Sequence, residues 1–166
     1  MYEKSIVLLN KAIADELLAV HQYMYFHFLC DDMGYDLLAG LFKRTAIDEM
    51  MHVERLAERI LFLKGDVEMK VGGNVQQIKD VAKMLELVSK MEQESAQEYN
   101  LWANESAANA DSSTKQIFEG LVAEEERHYD QYDTELDNLK KFGDRYLALQ
   151  SIERSKNLSA AGKTVE

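Results

Sequence analysis

Residues 47–52 read IDEMMH and residues 123–128 read AEEERH, and each segment places a histidine three positions after a glutamate. On an α-helix, side chains three positions apart lie on one face and can reach a common point. The pairs are Glu49 with His52 and Glu125 with His128. Carboxylate oxygens and imidazole nitrogens are both common ligands of transition metals. The two segments therefore predict two helices, each carrying a pair of metal ligands.

The two segments belong to a weak internal repeat. A further glutamate lies 33 positions before the glutamate of each Glu-x-x-His segment. A tyrosine lies seven positions after each of these earlier glutamates. An offset of 76 residues relates the two sets, which are Glu16, Tyr23, Glu49 and His52 in the first half and Glu92, Tyr99, Glu125 and His128 in the second. The repeat predicts two helical hairpins with a site of approximate two-fold symmetry between them.

The composition is that of an all-α protein. The 166 residues are 46% hydrophobic, with no proline and only eight glycines. Because proline is the strongest breaker of helix interiors, its absence permits very long helices. Turn-forming residues delimit the helices that we predict over residues 3–31, 36–64, 76–109, 113–142 and 144–154. We expect a four-helix bundle with a long crossover between helices two and three and a short fifth C-terminal helix.

This architecture predicts a single domain over residues 1–154. Residues 155–166 are small and polar, and we interpret them as a tail that is a candidate for disorder. Trp102 and Tyr99 are interpreted as an aromatic layer of the core, and the acidic run 124–126 as mostly a solvated face.

Each of the four long helices has an apolar stripe that a carboxylate interrupts near its middle. Since a buried unpaired carboxylate costs several kcal/mol, four of them require a compensating cation. Four carboxylates and two imidazoles supply each of two metal ions with oxygen and nitrogen ligands, which is the known ligand pattern of di-iron carboxylate bundles. The alternative, a coincidence among the solvated glutamates of acidic helices, is disfavoured by the position of these residues in the stripes.

Charge and cysteine content exclude several classes of protein. With 30 acidic and 19 basic residues the formal net charge is −11, which disfavours nucleic-acid binding and suits the attraction of cations. No apolar run approaches the roughly 20 residues needed to span a membrane, and the first residues carry acids too early for a secretion signal. The single cysteine, Cys30, rules out an internal disulfide and predicts a reducing, cytoplasmic location.

Over about residues 3–153 the sequence resembles the bacterioferritins, the haem-containing branch of the ferritin superfamily. Four segments carry the resemblance: NKAIADELLAVHQY (10–23), IDEMMHVERLAERILFLKG (47–65), AEEERHYDQYDTELDNL (123–139) and FGDRYLALQSIER (142–154). The resemblance implies a ferritin-like bundle and a ferroxidase that oxidises Fe(II) with O2 or H2O2. It also implies storage of the ferric mineral in a hollow homo-oligomeric cage of 24 subunits, built from two-fold dimers.

The resemblance also implies roles for individual residues. Glu16, Glu49, His52 and Glu125 would surround one iron, and Glu92, Glu125, His128 and Glu49 the other, with Glu49 and Glu125 bridging. Tyr23 would stand beside this ferroxidase centre. Met50 would be the axial ligand of a haem b shared between two subunits. Helix geometry alone does not choose between Met50 and Met51, since both point away from the metals.

Two positions depart from the family pattern. Arg44 stands where many bacterioferritins have a histidine, which puts an inner-surface iron site with Asp48 in doubt. Arg127 replaces a small residue within the second motif, and we expect it to face outward with little effect on the metals.

Other functions remain open at this stage. The enzyme alternative is a non-cage di-metal peroxidase or catalase. A DNA-protecting mini-ferritin dodecamer is disfavoured by the acidic charge. A metal-free helical interaction module is the third alternative. Native mass separates a cage from a dimer, and ferrous oxidation separates a metal enzyme from a metal-free module.

Overall fold

The computed structural model describes residues 2–162, which form five helices and no strands. The helices are α1 (Glu3–Asp32), α2 (Asp36–Phe62), α3 (Val81–Ala108), α4 (Ser112–Phe142) and α5 (Asp144–Gly162). Helix α1 packs along α2, and α3 packs along α4, so the bundle consists of two hairpins, as the repeat predicts. Within the described range, no helix is both long and apolar enough to cross a membrane.

Helix α3 starts later than the sequence predicts, at residue 81 instead of 76. The reason is Asp80, whose side chain accepts a hydrogen bond from the backbone N–H of Lys83 at 3.0 Å and so caps the helix. Residues 76–79 therefore join the crossover, which runs over residues 63–80 and is longer than the predicted connection.

The crossover lies along α1 and is fixed to it by hydrogen bonds. Asn10 and Gln22 each exchange two hydrogen bonds with its backbone, at 2.7–3.0 Å. Between them, the N–H of Gly72 donates to the carbonyl of Ala14 at 2.8 Å. A Cβ at position 72 would lie 2.8 Å from the same carbonyl oxygen, so this close approach requires glycine. The crossover thereby brings the start of α3 to the end of the bundle where α1 ends.

Helix α5 continues to Gly162, beyond the predicted end at residue 154. Residues 155–162, which we placed in a polar tail, are thus helical, because no glycine or proline interrupts the chain between Gly143 and Gly162. They are exposed, and residues 163–166 of the predicted tail lie outside the described residues. Gln150 anchors the helix to the bundle by accepting a hydrogen bond from the N–H of Leu38.

The core is divided into two apolar halves. One half surrounds Phe26, Phe42 and Leu85, and the other surrounds Leu9, Leu56 and Phe118. The carboxylates that interrupt the four apolar stripes form a polar layer between these halves. The fold therefore places charged groups at the centre of the bundle, with apolar packing on both sides.

Candidate metal centre

The polar layer contains all six predicted ligand residues, and each is at most 3% exposed. Their ligand atoms form two overlapping groups in which all atoms lie within 4.8 Å of one another. One group is Glu16, Glu49, His52 and Glu125, and the other is Glu49, Glu92, Glu125 and His128. Glu49 and Glu125 belong to both groups. The arrangement offers two adjacent cation positions with two shared carboxylates.

Both histidines direct Nδ1 toward the centre. Nδ1 of His52 lies 2.8 Å from Glu49 and 3.2 Å from both Glu16 and Glu125. Nδ1 of His128 lies 3.2 Å from Glu49 and 3.5 Å from Glu92. The two imidazole rings are 6.1 Å apart between centroids and nearly parallel, with an interplanar angle of 27°.

Although the imidazole nitrogens lie close to Glu49, several atoms of this layer have no partner in hydrogen-bond geometry among the described residues. They are both oxygens of Glu49, Oε2 of Glu92, Oε1 of Glu125 and Nδ1 of His128. Buried polar atoms are almost always paired, so this concentration of unpaired oxygens and a nitrogen at one point indicates a missing cationic partner. A set of four carboxylates and two imidazoles fits two ions of iron, manganese or zinc.

When no metal is bound, protons on the ligand residues neutralise part of the negative charge of the four carboxylates. Burial by itself lowers the pKa of a histidine, but the carboxylates around His52 raise its pKa well above the ordinary value, and Glu49 and Glu92 raise that of His128 to about 10. Burial and the charge of Glu49 raise the pKa of Glu16, Glu92 and Glu125. Glu49, which both imidazoles face, keeps a lowered pKa despite its burial.

A tyrosine from each hairpin holds a glutamate of the other. The hydroxyl of Tyr23 donates to Glu92, and the hydroxyl of Tyr99 donates to Glu16. Burial raises the pKa of both phenols well above the ordinary value, so they stay protonated and act as donors. The approximate two-fold symmetry that relates the two ligand groups also relates these two hydrogen bonds.

Two further carboxylates orient the histidines from outside the centre. Nε2 of His52 lies 2.6 Å from Glu124, and Nε2 of His128 lies 3.0 Å from Asp48. In the neutral imidazole that binds a metal, we assign the proton to Nε2 because an acceptor lies there, and Nδ1 is then free to bind the metal. The charge pattern of the sequence alone does not indicate this role, because Glu124 falls in an acidic run that is typical of a solvated face and Asp48 bears only on the inner-surface site with Arg44. The available signal was the repeat, since both acids directly precede a shared glutamate and are related by the same offset of 76 residues.

An arginine holds each of these outer acids. Arg55 donates to Glu124 at 2.6 Å, and Arg127 donates to Asp48 at 3.0 Å. Burial works against ionisation of both acids, but the histidine and arginine partners outweigh it and lower their pKa. Arg127 is exposed, as expected, yet it holds the carboxylate that orients His128 and so has an indirect link to the centre.

The remaining predicted residues lie outside the polar layer. Met50 and Met51 are 53% and 46% exposed on α2, so both thioethers face away from the centre. Arg44 is exposed on the same helix. Because Asp48 is engaged by His128 and Arg127, it does not stand as a free ligand beside Arg44.

The chain is similar to known proteins over most of its length. A family model for the ferritin-like domain matches residues 6–142. A bacterioferritin of Desulfovibrio desulfuricans is 38% identical over 145 residues, which cover 87% of this chain and 81% of that protein. A bacterioferritin of Brucella melitensis is 34% identical over 141 residues, covering 85% and 88%.

The similarity extends to three dimensions. The crystal structure of the D. desulfuricans bacterioferritin, whose diiron site is described in different catalytic states, superposes with a TM-score of 0.87 at 37% identity. The superposition covers 89% of this chain and 86% of that one.

Proposed function

Because the chain belongs to the ferritin family, and within it to the bacterioferritins, we propose that it oxidises ferrous iron at its six-ligand centre and stores the ferric product. The observation that carries the proposal is the pair of overlapping ligand groups that share Glu49 and Glu125. Two ferrous ions held side by side can together supply the two electrons that a peroxide accepts, which avoids the release of one-electron oxygen radicals.

In this proposal the protein's residues fix the geometry of the substrate ions. Glu16 and His52 hold one ion, and Glu92 and His128 hold the other. Glu49 and Glu125 bridge them, which keeps the ions close together. Tyr23 and Tyr99 hold the terminal glutamates, and the outer acids hold the imidazole rings in the orientation that binding requires.

We further propose that the subunits form a hollow cage of 24 copies built from two-fold dimers, and that O2 or H2O2 is the oxidant. Several apolar side chains are exposed on the single chain, among them Phe28, Ile47 and Met50, which supports burial of this surface between subunits. Cys30 is buried and unpaired, which supports our placement of the protein in the cytoplasm.

A haem b between two subunits completes the proposal, with Met50 of each subunit as the axial ligand. The exposure of the Met50 thioether on the face away from the metal centre supports it. Met50→Leu should abolish the haem Soret band in the purified protein, whereas Met51→Leu should retain it. The reverse result would assign the ligand to Met51, and a band that survives both changes would remove the haem from this site.

The ferroxidase proposal is tested by adding ferrous iron aerobically to the purified protein and following its oxidation spectroscopically. The double variant Glu49→Gln/Glu125→Gln should oxidise iron only at the uncatalysed rate, since it removes both shared carboxylates. Glu54→Gln, an exposed change on the same helix, is the matched control and should match the parent. Equal rates for the parent and the double variant would refute the proposal.

The same sample tests the cage by native mass. A mass of hundreds of kilodaltons supports it, whereas a mass near twice 19.1 kDa would instead indicate a non-cage di-metal enzyme.

A further inference from the structure

The two tyrosines beside the metal centre are related by symmetry, but their aromatic surroundings differ. Tyr99 contacts Trp102, with 5.6 Å between ring centroids, and Phe118 packs against both rings at 5.8 and 5.7 Å. Tyr99 is buried, while Trp102 is only partly buried, and it is the only tryptophan of the chain. On this side, two easily oxidised rings in contact lead from a carboxylate of the centre to the surface.

The rings that Tyr23 contacts directly lie inside the core. Its ring stacks on Tyr132 at 5.7 Å and on Phe42 at 6.3 Å, and all three side chains are completely buried. The hydroxyl of Tyr132 donates to Thr45 at 2.7 Å, and Thr45 in turn donates to a backbone carbonyl of its own helix. The redox-active ring that Tyr23 contacts, Tyr132, is therefore buried, and the partly buried Tyr25 is reached only through two phenylalanines, Phe42 and Phe26.

We infer that Tyr99 and Trp102 form a one-electron path between the metal centre and the surface of the bundle. The path uses residues three positions apart on one face of α3, so the helix itself fixes their contact. The inference rests on the proposed ferroxidase function, because it needs an oxidising event at the centre. The path would operate when the centre holds a single ferrous ion, which supplies one electron, and the oxidant requires two.

The electrons and protons of this step balance. Hydrogen peroxide takes up two electrons and two protons to give two water molecules. The ferrous ion supplies one electron and becomes ferric, and Tyr99 supplies the other while its phenolic proton passes to Glu16, the group that it contacts. Trp102 then reduces the Tyr99 radical, which recovers its proton from Glu16, and the indole releases its own proton to water. The sum consumes one peroxide, one Fe(II), one indole and one proton, and yields two waters, one Fe(III) and one indolyl radical.

Such a path would protect the centre. An unpaired oxidising equivalent left among the ligands would attack the buried glutamates and histidines or escape as a diffusible radical. Transfer to a partly exposed indole moves it to a place where a reductant in solution can quench it. Tyr99 contacts the ligand set, whereas Trp102 acts only through Tyr99 and touches no reacting atom.

The test loads one ferrous ion per subunit without oxygen and then adds one equivalent of hydrogen peroxide. Trp102 is followed by its fluorescence, by freeze-quench electron paramagnetic resonance and by mass spectrometry of the peptide that contains it. In the parent protein we expect an indolyl radical and oxygenated Trp102, both normalised to the iron oxidised. In Tyr99→Phe, which keeps the ring but removes the phenol, both signals should be lost.

Symmetry supplies the matched control. Tyr23→Phe removes the same kind of hydrogen bond from the centre and should weaken iron binding as much as Tyr99→Phe does, but it lies off the path, so oxidation of Trp102 per iron oxidised should persist. In Trp102→Phe the radical should remain on Tyr99 and give a longer-lived tyrosyl signal.

Trp102 signals that survive in Tyr99→Phe, or that are lost equally in Tyr23→Phe, would overturn the inference. The absence of both signals in a parent that oxidises iron would overturn it too, while leaving the ferroxidase proposal intact. Iron oxidation no faster than in Glu49→Gln/Glu125→Gln would instead overturn the ferroxidase proposal.

Discussion

The hydroxyl of Tyr23, on α1, donates a hydrogen bond to the carboxylate of Glu92, on α3. This contact joins the two hairpins of the bundle at its polar centre, where apolar packing cannot hold them together. The symmetry-related contact from Tyr99 to Glu16 does the same in the opposite direction. Each tyrosine thus has two roles, because it links the hairpins and also fixes the direction of a terminal carboxylate ligand.

We therefore expect Tyr23→Phe to weaken metal binding. The change leaves the Glu92 carboxylate without its donor, and the loss of such an orienting partner typically costs about 10–100-fold in metal affinity. Titration with Co(II), whose absorption reports its ligand geometry, measures the affinity directly. Tyr132→Phe, on the ring stacked against Tyr23, is the control and should leave the affinity unchanged. An affinity in Tyr23→Phe equal to that of the parent would show that Glu92 is held by packing alone.

Much of this architecture could be predicted from the sequence. The absence of proline and the apolar stripes predict the four long helices, and the structure confirms them. The offset of 76 residues predicts a two-fold centre, and six of the eight residues of the repeat, the glutamates and histidines, do meet in two overlapping groups. These features are predictable because helical periodicity fixes which face a residue occupies, and the stripes show which face is buried.

The rest depends on contacts between helices that periodicity does not encode. Glu124 lies in an acidic run that would suit a solvated face, and only its approach to His52 reveals its role. The late start of α3 depends on a single cap at Asp80. The length of α5 was underestimated because polar, small residues tolerate a helix as readily as a disordered chain.

The outer acids provide a second prediction. Asp48→Asn and Glu124→Gln each replace a carboxylate acceptor with an amide, which can turn a donor toward the imidazole Nε2 and favour the tautomer that blocks Nδ1. We expect each change to lower Co(II) affinity by about 10–100-fold and to shift the absorption of the site. Glu126→Gln, the next acid along α4, is exposed and serves as the control. Spectra identical to the parent in both variants would exclude an orienting role.

Metal binding should release protons. Without metal, the raised pKa of His128, about 10, keeps its imidazole protonated at neutral pH, and burial together with the charge of Glu49 raises the pKa of Glu16 and Glu125, which favours their protonated forms. A bound ion displaces these protons, so the metal-free state holds more protons and affinity must rise with pH. Titration calorimetry with Zn(II), in buffers of different ionisation enthalpy at one pH, counts the protons released. A binding heat independent of the buffer would contradict this prediction.

Stability at the end of the bundle away from the centre should depend on Asp111, which is 2% exposed. Its carboxylate caps α4 by accepting from the N–H of Thr114 at 3.1 Å, and it receives a charged hydrogen bond from Arg59, on α2, at 2.7 Å. Burial alone would raise the pKa of Asp111, but the hydrogen bonds from Thr114 and the charge of Arg59 lower it below its ordinary value of 3.8.

We expect Asp111→Ala to reduce the free energy of unfolding by about 3 kcal/mol, since it removes both the cap and the partner of the partly buried Arg59. Asp111→Asn keeps an acceptor for the cap, so it should cost about half as much and isolate the ionic contribution. Because the folded pKa is depressed, that contribution is fully present above pH 3.8 and is lost as the pH falls through the lower folded value. We expect urea unfolding to show a smaller difference in the free energy of unfolding between the parent and Asp111→Asn at pH 3 than at pH 7. A difference that stays constant or widens in acid would assign this stability to packing instead of charge.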